Sequence, residues 1–209
     1  MTIIEERLAL LDTLVLEHGA HSPDGKFCIM EASAYIAGEP WSDSPECVSP
    51  VIAAFLRSWN DSLDDDARQM LKPYVTKVIG TRTTKADETK RAWMCTDWLA
   101  RECAPAFLRC AGLTEHAETL ESLAALTNAK RATAAQPKLV AAWDAATDAA
   151  RDAATAAARD AAWAAARDAA TESLAPTVKL LQTSALGLLD RMIEVGRAPS
   201  PAVHGRRAA

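Results

Sequence analysis

The chain has little of what a β-sheet, a membrane segment or a familiar catalytic loop is built from. Tyr and Phe are scarce, two and three in 209 residues, and no alternating run of apolar and polar residues reaches useful strand length. The side-chain period of two that a half-buried sheet needs is therefore missing. No stretch approaches the roughly 18 uncharged apolar residues of a membrane span. The opening segment MTIIEERLALLDTLVLEHG carries Glu5 and Glu6 where a secretory leader would be positive. Phosphate-binding glycine loops, HExxH and the nucleophile elbow GxSxG are all absent, which removes the commonest sequence warrants for an enzyme. Basic charge is also short. A net charge of −5 and a pI near 5.4 speak against a general nucleic-acid-binding face. Cysteines number five, an odd count with no CxxC pair, so a secreted disulfide framework is not expected. Reduced thiols and a cytoplasmic protein with no membrane contact are.

What the sequence does have is alanine. From Pro137 to Leu174 it reads PKLVAAWDAATDAARDAATAAARDAAWAAARDAATESL, a tetrad repeat from Trp143 onward. Trp143, Thr147, Arg151, Thr155, Arg159, Trp163, Arg167 and Thr171 hold its first place. Ala loses no side-chain entropy on entering a helix, Pro137 suits a first turn and Pro176 should stop the run, so a helical rod of roughly 57 Å is predicted. Four residues turn about 400°, so the large side chains precess by about 40° per tetrad. Trp143 and Trp163 then point roughly 200° apart, and one flat partner cannot bury both. Covering such a rod takes neighbours on two sides, or a second copy of the chain, and a homo-oligomer is expected.

Apolar spacing at Ile4, Leu8, Leu11 and Val15 predicts a first helix over about 3–18, ended by Gly19. FCIMEASAYIAG gives a short helix closed by Gly38, and Ser49-Pro50 opens another through Leu63. Acid at Asp64 to Asp66 starts a helix that Pro73 limits. ADETKRAWMCTDWLARE follows as a strong helix, Pro105 interrupts it, Gly112 caps the next piece, and Thr114 opens one to about Leu126. After Pro176, TVKLLQTSALGLLDRMIEV is amphipathic and can fold back on the rod. The expected fold is all-α: an N-terminal multi-helix unit over 1–128, then the Ala-rich helix and a C-terminal helix packed on it over 129–195. Residues 196–209 read as a disordered tail.

The densest group of reactive side chains lies in the first fifty positions. His18, His21, Cys28 and Cys47 are residue types that zinc accepts, on loops and helix ends that could converge. Their spacing is not that of a standard finger, and the alternative is a pair of buried thiols with two solvated histidines. Glu31, Glu39, Asp43 and Glu46 could in the same way serve a metal-dependent hydrolase. Cys95, Cys103 and Cys110 read as core. Six Trp against three Phe is an unusual ratio, and Trp41 and Asp43 in the loop GEPWSDSP, with Trp143 and Trp163 on the rod, are the partner-binding candidates.

Several stretches also resemble an uncharacterised family of Ala-rich helical proteins from actinobacteria and their phages. They are Met30 to Leu63, Leu71 to Thr81, Arg91 to Leu113, the tetrads, and Ser184 to Ile193. The likeness implies no activity, substrate or site. The expectation is a non-enzymatic protein–protein interaction or regulatory module without a cofactor, acting on an unknown protein partner, with phage biology or phage–host conflict as its expected setting. Its alternative is a zinc-binding domain or metal-dependent hydrolase built on the first fifty residues.

Overall fold

The computed structural model describes residues 3–23, 25–159 and 163–197, the side chains of Leu10 and of 152–173 excepted. The chain is all-α. In order come α1 (Glu5–Leu8), α2 (Leu10–Thr13), α3 (Ile29–Ala37), α4 (Pro50–Ser62), α5 (Asp65–Arg68), a 3-10 turn (Gln69–Leu71), α6 (Tyr74–Lys77) and α7 (Lys85–Trp98). A π turn (Leu99–Cys103) leads into α8 (Ala104–Cys110), followed by α9 (Thr114–Glu121), α10 (Ala129–Arg159) and α11 (Trp163–Glu194). Among the described residues no strand forms beyond one isolated parallel bridge, Leu16 to Phe27. None of these helices is long and apolar enough to cross a membrane.

Two compact units result, one of residues 1–88 with 193–209, the other of 89–192. The division does not fall at residue 128, where the composition changes, because Ala135 and Ala142 of α10 are buried in one cluster with Leu108 and Leu120.

In the first unit the core is aliphatic. Ile29, Ile36, Ile52, Leu56, Leu71 and Val75 are fully buried, each stabilising the fold by about 1.5–3 kcal/mol relative to exposure. Helix α3 starts at Cys28, whose backbone is extended and whose thiol sulfur accepts the Glu31 N–H, and stops at Gly38, which takes φ 73°. A β-carbon at Gly38 would stand 2.7 Å from Ile4 Cδ1, so glycine serves the approach as well as the turn. Helix α4 begins as Ser49-Pro50 predicts, with Ser49 Oγ accepting the Ile52 N–H at 3.3 Å. Its far end is closed by Arg68, a buried cation that donates to the carbonyls of Asn60 at 2.8 Å and Leu63 at 2.6 Å.

The predicted first helix is wrong in its second half. Only α1 and α2 are helical, and the chain then extends so that Leu16 can bury against Phe27, with Glu17 N–H donating to Phe27 O at 2.9 Å. Val15, assigned to the apolar stripe, is 62% exposed because an extended chain sends it to the opposite side from Leu14 and Leu16.

In the second unit, Leu108, Ala117, Leu120, Leu123 and Leu126 make a core on which α10 lies through its small residues. Pro105 does not interrupt the chain as expected. It cannot donate to the carbonyl four residues back, and the turn before it widens instead, with Ala104 N–H reaching Leu99 O. The C-terminal helix packs in the same unit. Trp98 Nε1 donates to Ser184 Oγ at 2.8 Å, Ser184 Oγ donates to Glu102, and Leu188, Leu189 and Met192 are buried.

The long helix begins at Ala129, where Asn128 Oδ1 accepts the Arg131 N–H at 3.0 Å, so Pro137 sits inside it and not at its start. Pro176 likewise lies inside α11 and does not end the run. Residues 160–162 of the tetrads, the side chain of Trp163 and residues 198–209 of the expected tail lie outside the described residues.

Candidate functional site

The reactive residues of the first fifty positions are held by the fold in other ways than a metal site requires. Glu31 is 1% exposed and is the hub. Its Oε1 accepts the His21 N–H at 2.6 Å, and its Oε2 accepts the Cys28 N–H at 2.7 Å and faces His21 Nδ1 at 2.9 Å. Sequence reasoning treated Glu31 as a water-activating candidate; its partners make it a capping box that also fastens the turn at His21. The tell-tale was Cys28-x2-Glu31, which has capping-box spacing but a thiol where Ser or Thr is usual. Elsewhere His18 lies near Asp61, whose carboxylate takes the Gly19 N–H at 2.9 Å. Cys47 stands beside Glu39, and Glu39 accepts the Glu46 N–H at 2.6 Å. The expected zinc set of His18, His21, Cys28 and Cys47 is not brought together: among the described residues no three His, Cys, Asp or Glu side chains are arranged to hold a metal ion.

Trp41 and Asp43 are tied to neighbouring segments of the first unit. Trp41 is half-buried, its Nε1 donates to His21 O at 2.7 Å, and its ring sits 4.8 Å from that of Phe27. Asp43 lies against Arg57, which donates to the Asp43 carbonyl at 2.9 Å.

The thiols range from buried Cys28, Cys47 and Cys103 through half-buried Cys95 to exposed Cys110. Burial, reinforced by the neighbouring carboxylates of Glu31, Glu39 and Glu102, pushes Cys28, Cys47 and Cys103 each up to about 12. At pH 8 only about one in ten thousand of such groups is thiolate, the reactive form. Cys110 is exposed, its sulfur 2.9 Å from Thr177 Oγ1. Brief iodoacetamide treatment of the native chain should therefore modify Cys110 and leave Cys28, Cys47 and Cys103 untouched until denaturant is added. Peptide mass spectrometry reads the sites, and native labelling of any of those three would contradict their burial.

The second unit carries a concave feature lined without any charged residue. A cavity of about 350 Å³ opens between α8, α9 and α10. Ala104, Phe107, Leu108 and Ala111 form its α8 side, and Leu120 its α9 side. Leu139, Ala142, Trp143 and Ala146 close it from α10. Its depth comes from the alanines, whose short side chains leave space where a Leu would fill it. Two aromatics stand at its edge as jaws, Phe107 at 47% and Trp143 at 73% exposed, and Val140 beside Trp143 is 49% exposed. Helical periodicity explains the division. Leu139, Ala142 and Ala146 fall on the side that packs, and Trp143, one position beyond Ala142, is turned about 100° outward. Trp143 was thus named from the sequence, whereas Phe107 and the alanine floor were not, because the cavity depends on which alanines of distant helices face one another.

Comparison with protein-family models, with curated proteins and with solved structures finds no match for this chain.

Proposed function

We propose that the chain is a non-enzymatic interaction or regulatory module that docks an amphipathic helix of a protein partner in the groove between α8 and α10. The observation that carries this is Trp143, 73% exposed at the lip of an uncharged cavity. Large apolar groups gathered round a concavity mark binding surfaces, and Trp is the residue most enriched among the contacts that dominate binding. A protein helix suits the groove better than a polar metabolite. Every lining residue is Ala, Leu, Phe or Trp, so no side chain except the Trp143 indole could hydrogen-bond a small molecule into one orientation. The apolar side chains at i, i+3 or i+4, and i+7 of a partner helix need no such anchor. The free thiols suit action in the reducing cytoplasm.

Selection from a displayed library of helical peptides tests the reading. Peptides with apolar residues at helical spacing should bind the wild-type chain, and Trp143→Ser should weaken them at least tenfold, about 1.4 kcal/mol or more, with far-UV circular dichroism unchanged. Equal binding to wild type and variant would place recognition elsewhere.

A further inference from the structure

We propose that the resting occupant of this groove is a second copy of the chain, with Trp143 of each copy seated in the groove of the other. The inference rests on the docking reading above and names the groove's first partner. Its ground is that a knob and a hole lie on one patch. The Trp143 ring stands 73% exposed at the lip of the cavity it helps to line, so it does not fill that cavity itself. A twofold axis through the patch places each knob at the other copy's hole, which is the self-complementarity an isologous interface requires.

The surface around Trp143 meets the remaining requirements of such an interface. On α10, Gln136, Val140, Trp143, Thr147 and Ala150 fall within about 60° of Trp143 around the helix axis, and all are exposed and uncharged. Two copies of this stripe can cross without burying like charges. Taking full areas of about 150–250 Å² for an aromatic side chain, Trp143, Phe107 and Val140 leave on the order of 300 Å² of apolar surface bare. A stable interface covers about 800 Å² per copy, so these three side chains would supply less than half of it and the uncharged stripe and groove walls the rest. Shape thus points to a copy of the same surface and the missing charge permits it, and a partner helix would enter by displacing that copy.

Light scattering on the full chain at high micromolar concentration tests this. The wild type should give a mass near twice the 22.4 kDa of one chain. Trp143→Ser removes the knob, while Ala111→Phe, at an exposed position of the cavity wall, fills the hole; Ala146→Leu does the same from α10. Each variant should weaken the dimer at least tenfold with its circular dichroism unchanged. Mixing Trp143→Ser with Ala111→Phe should restore part of the dimer, because one remaining knob then meets one unfilled hole, an outcome that a merely sticky surface does not give. A wild type of 22.4 kDa, or folded variants that dimerise as the wild type does, would overturn the proposal. The docking reading fails separately. A monomeric wild type that still binds the selected helical peptides sinks only the self-pairing, and a Trp143-dependent dimer that no helical peptide displaces sinks only the docking.

Discussion

Replacing Arg91 by Ala should lower the stability of the second unit by about 3–5 kcal/mol. Arg91 is 0% exposed in the middle of α7, and its Nε donates to Met192 O at 3.0 Å, across 101 residues of sequence. That carbonyl lies in the last turn of α11, where helix carbonyls lack intrahelical donors and the dipole favours a cation. Losing the side chain leaves an unmade hydrogen bond in a dry site, about 1–3 kcal/mol, and a cavity the size of a long side chain. Buried charges can sometimes be exchanged for apolar residues without loss, but only when both partners go. Here the acceptor is backbone and stays. Arg91→Met, which keeps most of the volume, should therefore still lose about 2 kcal/mol, and Arg91→Lys should fall between, since an ammonium cannot reproduce the planar fork. Urea unfolding followed by circular dichroism reads the loss. A shift below about 1 kcal/mol for Arg91→Ala would show that α7 and α11 hold together without it.

In the first unit Glu31→Ala should lower stability by about 3 kcal/mol. One buried carboxylate satisfies the main-chain N–H groups of His21 and Cys28 and meets the His21 ring. Each backbone donor left unpaired costs about 1–3 kcal/mol, and the turn at His21 loses its tether to α3. Glu31→Gln separates the acceptor's role from its volume. An amide offers one acceptor oxygen, so it can serve one side of the hub and must present N–H to the other, for an expected loss of about half as much. Amide hydrogen exchange supplies an independent reading, because the His21 and Cys28 amides should lose protection in Glu31→Ala while those of α10 keep theirs. Unchanged protection at both would mean that water replaces the carboxylate without penalty.

Much of the fold was legible because it rests on local chemistry. The Ser49-Pro50 start of α4 and the Gly38 stop of α3 follow from caps whose partners lie within a few residues. The failures come from packing that the local sequence does not contain. Ile4, Leu8, Leu11 and Val15 do share a helical period, yet burying Leu16 against Phe27 outweighs it, a pairing that residues 3–18 alone do not reveal. Proline was read as a stop at Pro105 and Pro176 and as a start at Pro137, but the helical backbone continues through all three, since a long helix can lose one hydrogen bond per proline and keep its packing. The candidate site was half legible. Trp143 announces itself as a large residue in an alanine field, whereas the groove beside it exists only once α8, α9 and α10 have met.

The contact between Arg91 and Met192 has a meaning for connectivity as well as for energy. The second unit is a single unbroken stretch of chain whose two ends are pinned together by that hydrogen bond, so to the first unit it is a closed excursion. Closing a loop of that length is entropically unfavourable only as the logarithm of its length, so doubling it would add about 0.6 kcal/mol. The first unit's chain thus leaves at residue 88 and returns at residue 193, the connectivity in which one domain is carried as an insertion within another.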